Sequence, residues 1–293
     1  MKKSSLVSIL FAILAFPTLL IAQNNSVDSK EIQWEDLKND STRAALAYFE
    51  VVKYGPAVDR DVKNKFIFPD DAEDGIYGID VSHHNGVVDW SKVAKVNAKF
   101  VYIKATQGDR FRDPKFEMNW SGSRKEKIPR GAYHFLKAKI SGKDQAKAFL
   151  TMLDKVGGLQ AEDLAPVLDL EWDLEKRNGE DVDCWGDLSS DEIAQIVLDW
   201  ITAVKTGTGR TPTIYTAATW WKERMGSSLA LKSYPQWLAD YRKASINAGA
   251  PQSTRDHKHL AWQFTDGGNF EGATAKFDVN RLNGSDIVIL MGK

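Results

Sequence analysis

The sequence has little cysteine, and Cys184 is the only one among its 293 residues. A single thiol excludes an intrachain disulfide, a CxxC redox site and zinc clusters built from several thiolates. Its surroundings, NGEDVDCWGD, are acidic and disfavour the thiolate that a cysteine nucleophile needs. The stability of the fold must therefore come from its core.

The chain also lacks an excess of basic charge. It has 39 Lys and Arg against 40 Asp and Glu, a formal charge of -1, and no segment forms a basic arm or stripe. Because nucleic-acid binding depends on such a patch, we exclude nucleic acid as a partner. Internal repeats and low-complexity tracts are missing as well.

The few histidines do not form a metal motif. The pairs His83-His84 and His257/His259 lack the spacing of a zinc helix such as HExxH. We therefore expect neither a metal ion nor another cofactor.

The first 22 residues have the order of a secretory signal peptide. Lys2 and Lys3 precede an apolar run from Leu6 to Ala22, which Pro17 interrupts, and polar residues follow. A retained membrane anchor is the alternative, since the run approaches the length of a bilayer span. We expect a secreted or periplasmic protein, monomeric and without stable membrane insertion after signal removal.

The remaining chain divides into two parts. Residues 23–75 are polar and form an N-terminal extension or linker, with one predicted helix at 34–53. In 76–293, short β-like runs alternate with helical stretches such as 143–156 and 190–205. Such alternation indicates a mostly parallel sheet, and seven or eight units over about 215 residues indicate a closed barrel. The predicted fold class is α/β, an irregular TIM-like (β/α) barrel with a short N-terminal helical extension.

The run APVLDLE places two acids on one predicted strand. Asp169 and Glu171 would share a face, with Cα atoms roughly 6.6 Å apart, while Leu168 and Leu170 point the other way. Two carboxylates this close repel, so one tends to hold its proton near neutrality while the other is ionised. A solvated strand end is the alternative interpretation of these two acids taken alone.

Polar residues also follow the other apolar runs, where barrels carry their chemistry. If these strand ends were merely solvated, we would not expect a polar residue at the end of so many apolar runs. The sequence also holds 10 Trp, 8 Tyr and 13 Phe, and aromatic rings exposed in a cleft can stack on sugars. The polar residues at these ends are Asp80, Ser82, Lys104, Tyr133, His134, Asp169, Glu171, Tyr215, Asp240, Tyr241 and Gln263.

Taken in order, the motifs resemble those of glycoside hydrolase family 25 lysozymes. The resemblance covers roughly 76–292 and implies an N-acetylmuramidase that cuts the β-1,4 bond after N-acetylmuramic acid in peptidoglycan. It also implies an irregular β/α barrel. The blocks are YGIDVSHHNGVVDW, FVYIKATQG, FRDPKFEMNW, RGAYHF, APVLDLE, TPTIYTAATWW, YPQWLADY, and LAWQFTDGG followed by KFDVNRLNG.

Matching these motifs residue by residue implies a set of catalytic roles. Glu171 would be the general acid, and Asp169 would stabilise the charge of the sugar or orient its 2-acetamido group as an internal nucleophile. Asp80 and Asp278 would complete an acidic cluster beneath the cleaved sugar. The expected substrate-binding residues are Tyr133, Tyr215, Trp237, Asp240, Gln263 and His84, the last as a residue that orients an acid.

The stereochemical route stays open at this stage. A carboxyl separation of about 5–5.5 Å suits a protein nucleophile, and about 6.5–9.5 Å suits inversion through water. An N-acetylated substrate allows a third route, attack by its own acetamido oxygen, which we favour. Two alternatives to a muramidase also remain: a β-glycosidase acting on chitin-like N-acetylhexosamine polymers, and an inactive glycan-binding protein.

Two stretches depart from the family pattern. Gln107 stands in KATQG, where family members often have glutamate, so a carboxylate is missing there. The segment 172–187 is longer and more acidic than expected, and we expect it to lengthen a wall of the cleft.

Overall fold

The computed structural model describes residues 75–96, 98–226, 228–241, 259–268 and 276–293. The predicted signal peptide and the predicted helix at 34–53 lie outside these residues. Within the described ranges, no helix is both long and apolar enough to cross a membrane.

The described chain alternates strands and helices. The strands are β1 (Tyr77–Val81), β2 (Phe100–Gln107), β3 (Phe111–Arg112), β4 (Arg130–Phe135), β5 (Val167–Asp169), β6 (Leu174–Arg177), β7 (Glu180–Asp183), β8 (Thr213–Ala217), β9 (Gln236–Ala239), β10 (His259–Gly268) and β11 (Phe277–Leu282). The α-helices are α1 (Trp90–Lys95), α2 (Phe116–Lys125), α3 (Gly142–Lys155), α4 (Ser190–Thr208) and α5 (Ala218–Arg224). Short 3₁₀ helices lie at His83–Asn85, Cys184–Asp187 and Ile287–Met291.

Eight strands close into a barrel in the order β1-β2-β4-β5-β8-β9-β10-β11. The ring closes at β1, where Ile79 lies opposite Val101 of β2 in parallel register and opposite Val279 of β11 in antiparallel register. The predicted barrel is confirmed, and all its strands except β11 run in one direction. β11 is the exception: it runs antiparallel to both of its neighbours, and it begins nine positions after the end of β10, a connection shorter than the dozen or more residues that a parallel crossover needs.

Two glycines let large rings fill the inside of the barrel. A Cβ atom on Gly78 would lie 2.5 Å from the ring of Phe100, and one on Gly131 would lie 2.2 Å from the ring of Tyr102. Both rings are buried. The interior is thus closed by packing, and open space for a substrate can exist only at an end of the barrel.

The helices follow the sequence signals closely. α4 begins with a capping box, in which Ser189 and Glu192 bond each other's backbone, and Gly209 ends it at φ 69°. The predicted start at residue 190 is right, and α4 runs three residues beyond the predicted end at 205. α3 lies within one residue of the predicted 143–156.

His134 lies outside the barrel, in the core between the sheet and its covering helices. Its ring lies 5.5 Å from Trp200 of α4, and its nitrogens contact Thr106 at 2.6 Å and Gln145 at 3.2 Å. Burial lowers the pKa of His134 to about 3, so the ring is neutral. It therefore joins the sheet to its covering helices.

The long segment 172–187 contains a two-stranded hairpin, β6–β7. The two residues between the strands, Asn178 and Gly179, have φ of 54° and 86°, as a type I′ turn requires. The 3₁₀ turn Cys184–Asp187 follows, with Trp185 fully buried. The hairpin starts three residues after Glu171.

Candidate active site

Polar residues near the carboxyl ends of three strands face the inside of the barrel. Gly78 and Phe100 contact each other inside the barrel, as do Gly131 and Tyr102. Strand side chains alternate faces, so the residue two positions later on each strand points to the same interior. By this rule the interior receives Asp80, Lys104 and Tyr133.

Asp80 is a buried carboxylate with fixed partners. Its Oδ2 accepts hydrogen bonds from Nδ2 of Asn280 at 2.8 Å and from Nε2 of Gln263 at 2.9 Å. Asp278 lies directly opposite it on β11 and also interacts with it. Burial raises the pKa of Asp80, and its hydrogen bonds to Asn280, Gln263 and Asp278 oppose that rise.

Gln263 connects Asp80 to two tyrosines. Its side-chain oxygen accepts a hydrogen bond from the hydroxyl of Tyr215 at 2.6 Å and another from the hydroxyl of Tyr241. Its amide nitrogen is thereby directed towards Asp80. The side-chain amide of Gln263 thus makes three contacts, and together they orient Asp80. The role in substrate binding that we expected for Gln263 did not include this contact.

Asp169 and Glu171 form the second acidic group. Asp169 ends β5 and is only 6% exposed, and its Oδ1 is buried without a hydrogen-bond donor among the described residues. Burial, and then the charge of Glu171, raise the pKa of Asp169 well above its ordinary value. Burial raises the pKa of Glu171 to about 7. A proton is therefore held in this pair close to neutral pH.

Lys104 is the buried cation beside these acids. Its charge lowers the pKa of both Asp169 and Glu171. The ammonium donates a hydrogen bond to Oε1 of Gln107 at 2.9 Å and lies 4.9 Å from the ring centre of Phe135. Because Gln107 is neutral, the charge of Lys104 acts on Asp169, Glu171 and Asp113.

The histidine pair contributes through His83. Its Nδ1 lies 2.7 Å from Oδ2 of the buried Asp113, which also accepts a hydrogen bond from the His83 backbone at 3.0 Å. The contact with Asp113 belongs to His83, and the expected role of His84 in orienting an acid stays a prediction. The backbone of His84 donates to Oγ of Ser82, and its ring lies 3.9 Å from that of His83.

Three expected binding residues lie at different depths. Trp237 is 3% exposed in the barrel core, between Tyr102 at 5.1 Å and Tyr215 at 4.9 Å, so it supports the floor of the site. Tyr133 is partly buried and close enough to the acids for their charges to raise its pKa further, after burial. Asp240 follows β9, and its backbone bonds Gln263 and Trp262.

Cys184 is buried beneath the hairpin, and burial raises the pKa of its thiol to about 11. This agrees with the expectation that it is no nucleophile. Among the residues that the structure describes, no group of three His, Cys, Asp or Glu side chains is arranged to hold a metal ion.

Comparison with known proteins identifies the family of this chain. The family model described as "Glycosyl hydrolases family 25" matches residues 79–273, most of the described barrel. The chain belongs to glycoside hydrolase family 25. It is therefore a glycoside hydrolase, as its sequence motifs indicated.

Relatives and solved structures agree with this membership. Lysozyme M1 of Streptomyces globisporus is 34% identical over 218 residues, covering 72% of this chain and 69% of the relative. The N,O-diacetylmuramidase of Chalaropsis sp is 30% identical over 220 residues, which cover 72% of this chain and 95% of the relative. The crystal structure of a lysozyme from Streptomyces coelicolor superposes with a TM-score of 0.62 at 31% identity, over 74% of this chain and 95% of that one.

Several residues of the site were not singled out from the sequence. Asn280 lies two positions after Asp278 on β11, so strand alternation alone would have placed it on the same face. Asp113 and Trp185 carry no such local signal. Their contacts join residues 30 and 14 positions apart, respectively, and only the folded chain brings them together.

Proposed function

We propose that this chain is an exported lysozyme that cleaves the β-1,4 bond between N-acetylmuramic acid and N-acetylglucosamine in bacterial peptidoglycan. The observation that carries the proposal is the pair of the buried Asp169 and the half-buried Glu171, with one oxygen of Asp169 left without a donor among the described residues. The names of the related lysozymes and muramidases support the substrate, and the predicted signal peptide at 1–22 supports export.

In the first step Glu171 acts as the general acid. Its carboxyl, whose pKa is about 7, gives its proton to the glycosidic oxygen as the bond from that oxygen to the anomeric carbon breaks. The carbonyl oxygen of the substrate's own 2-acetamido group attacks the anomeric carbon from the opposite face and forms an oxazolinium ring. The buried Oδ1 of Asp169 accepts the N–H of that acetamido group and stabilises its positive charge.

In the second step the roles reverse. Glu171, now a carboxylate, takes a proton from a water molecule whose oxygen attacks the anomeric carbon. The oxazolinium ring opens, the acetamido group is restored, and the product keeps the original anomeric configuration. Asp80 and Asp278 supply further negative charge beneath the ring, and Asn280 and Gln263 hold Asp80 in place.

The test uses purified 23–293 protein, its Glu171→Gln variant and, as a matched control, Glu117→Gln on the outer helix α2. Each is incubated with peptidoglycan, and the reducing-end sugar released is identified by mass spectrometry. We expect reducing N-acetylmuramic acid from the parent and the control. Glu171→Gln should lose turnover by about 10²-fold or more, as loss of a general acid does.

The same assay, run also with chitin oligosaccharides, distinguishes the two alternative functions. Products from chitin oligosaccharides but not from peptidoglycan would replace the proposal with a hexosaminidase acting on chitin-like polymers. Binding to the glycan without release of any product would contradict the assignment of Glu171 and favour a binding protein.

A further inference from the structure

We propose that Trp185 is a positioning residue for the general acid, held by the β6–β7 hairpin, and this inference rests on the proposed role of Glu171. The indole Nε1 of Trp185 donates a hydrogen bond of 2.8 Å to the backbone carbonyl of Glu171. A contact to the main chain fixes where the acid side chain begins without using the carboxyl itself.

Glu171 needs such a contact because it lies beyond the sheet. β5 ends at Asp169, and the backbone of Leu170 still bonds Tyr215 at 2.9 Å. The next regular element, β6, begins only at Leu174. A side chain on an irregular loop is placed less precisely than one on a strand, and an error of about 1 Å at a catalytic group can cost on the order of 10²-fold in rate.

Trp185 is itself rigidly placed. It is fully buried, and its ring meets that of Trp220 edge-on at 5.8 Å. Its backbone nitrogen donates to Oδ1 of Asp183 at 3.3 Å, and that same oxygen accepts from the backbone of Asp173 at 3.1 Å. One carboxylate thus ties the loop that follows Glu171 to the turn that carries Trp185.

Two charged contacts anchor this arrangement to the barrel. Arg224 of α5 donates from Nε at 2.9 Å and from Nη2 at 2.6 Å to Oδ2 of Asp183. Asp173 accepts a hydrogen bond from the backbone of Ala138 at 2.9 Å and pairs with Lys137. The insertion 172–187, called the brace from here on, is therefore fixed to its surroundings at two points, Asp173 and Asp183.

The ion pairs also explain the acidic composition of the insertion. Asp187 pairs with Lys139 and Arg177, and Asp181 pairs with Lys176. These acids are partnered within the brace and its neighbours. They are not a free negative surface for substrate.

The test compares Trp185→Phe with Trp120→Phe on α2. Both remove one indole N–H from a fully buried ring, but the N–H of Trp120 has no acceptor among the described residues, and its ring packs on Phe116, away from the hairpin. We expect kcat on peptidoglycan to fall about tenfold in Trp185→Phe, with KM within twofold, because only the acid is displaced. Trp120→Phe should keep the parent kcat. Equal kcat values in the two variants would overturn the proposal.

A second measurement does not depend on turnover. The pKa of Glu171 is followed by carbon NMR of its carboxyl, assigned by difference from Glu171→Gln. When the loop loosens, water reaches Glu171 and its pKa should fall towards the ordinary value in Trp185→Phe, despite unchanged Lys104, Asp80 and Asp169. An unchanged pKa in Trp185→Phe would contradict the brace even if the protein proved not to be a muramidase.

If Trp185→Phe does not fold, Arg224→Lys takes its place. Lysine keeps the charge and loses the two-pronged contact with Asp183. We expect a folded protein whose kcat falls about threefold and whose Glu171 pKa also falls. Parent values for both would overturn the proposal.

Discussion

Glu171 combines two demands that oppose each other. The proposed general acid must hold its proton near working pH, and removal of its carboxyl from water, followed by the charge of Asp80, raises its pKa to about 7. The same environment makes the ionised form unfavourable in the folded chain. Function at this residue therefore costs stability at high pH.

This cost predicts the effect of Glu171→Gln on stability. The pKa is about 7 in the folded protein against an ordinary 4.5, so the folded state holds the proton longer and loses stability as pH rises from 4.5 through 7. We expect Glu171→Gln to raise the free energy of unfolding at pH 8 by about 3 kcal/mol relative to the parent. At pH 4 the difference should be much smaller. Denaturant melts at both pH values measure it, and an equal difference at the two would contradict the raised pKa.

We expect Lys104 to influence the pH range of activity. Its charge lowers the pKa of Asp169 and Glu171, so Lys104→Met should raise both values and move the alkaline limb of the kcat profile upwards. Gln107→Glu should do the same by a smaller amount, because a carboxylate beside Lys104 compensates its charge. Gln195→Glu, at an exposed position of α4, is the matched control. A downward shift in either test variant would show that Lys104 is not the controlling charge.

The packing of the barrel interior depends on glycines on the two barrel strands that pair with β2. Gly131 on β4 leaves room for Tyr102 of β2, and a Cβ there would overlap its ring. The floor of the site rests on this packing, since Tyr102 also contacts Trp237.

We expect Gly131→Ala to destabilise the protein by about 3 kcal/mol, the usual cost of overpacking a closed core. Gly186→Ala is the control, because its added Cβ would meet nothing closer than 3.7 Å. Thermal melts of the two variants make the comparison. A Gly131→Ala protein as stable as the control would mean that the ring of Tyr102 moves aside freely.

The hairpin shows how a local signal can be overlooked. Asn178-Gly179 is the dipeptide that favours a type I′ turn, and flanking strands should have been predicted around it. The segment 172–187 is too acidic to show the apolar alternation that usually marks strands beside such a turn. Where the hairpin is attached was beyond local signals, because Arg224 meets Asp183 across 41 positions.

At the scale of the molecule, the closed ring lies within Tyr77–Leu282. Every strand of the barrel finds both neighbours inside this range, so no edge is left to pair with another segment. The predicted catalytic domain at 76–293 follows these limits and stays a prediction, as do the monomeric state and the export signal.

Removal of 23–74 tests that boundary. We expect residues 75–293 to melt cooperatively, with the melting temperature and peptidoglycan turnover of the 23–293 protein, because the barrel closes without the extension. Calorimetry and the product assay provide the two readouts. Loss of a cooperative transition would make the extension part of the fold.

The sequence by itself determined the barrel and the chemical type of its site. Alternating apolar runs and helices follow from local periodicity, and the carboxyl ends of parallel strands meet at one end, so Asp80, Asp169 and Glu171 were assigned to one site before any coordinate was known. Tertiary structure alone decided how that site is tuned. The antiparallel return of β11, the contact of His83 with Asp113, and the contact from Trp185 to Glu171 all join distant positions. Burial and charge at such contacts depend on the whole fold, and no local pattern contains them.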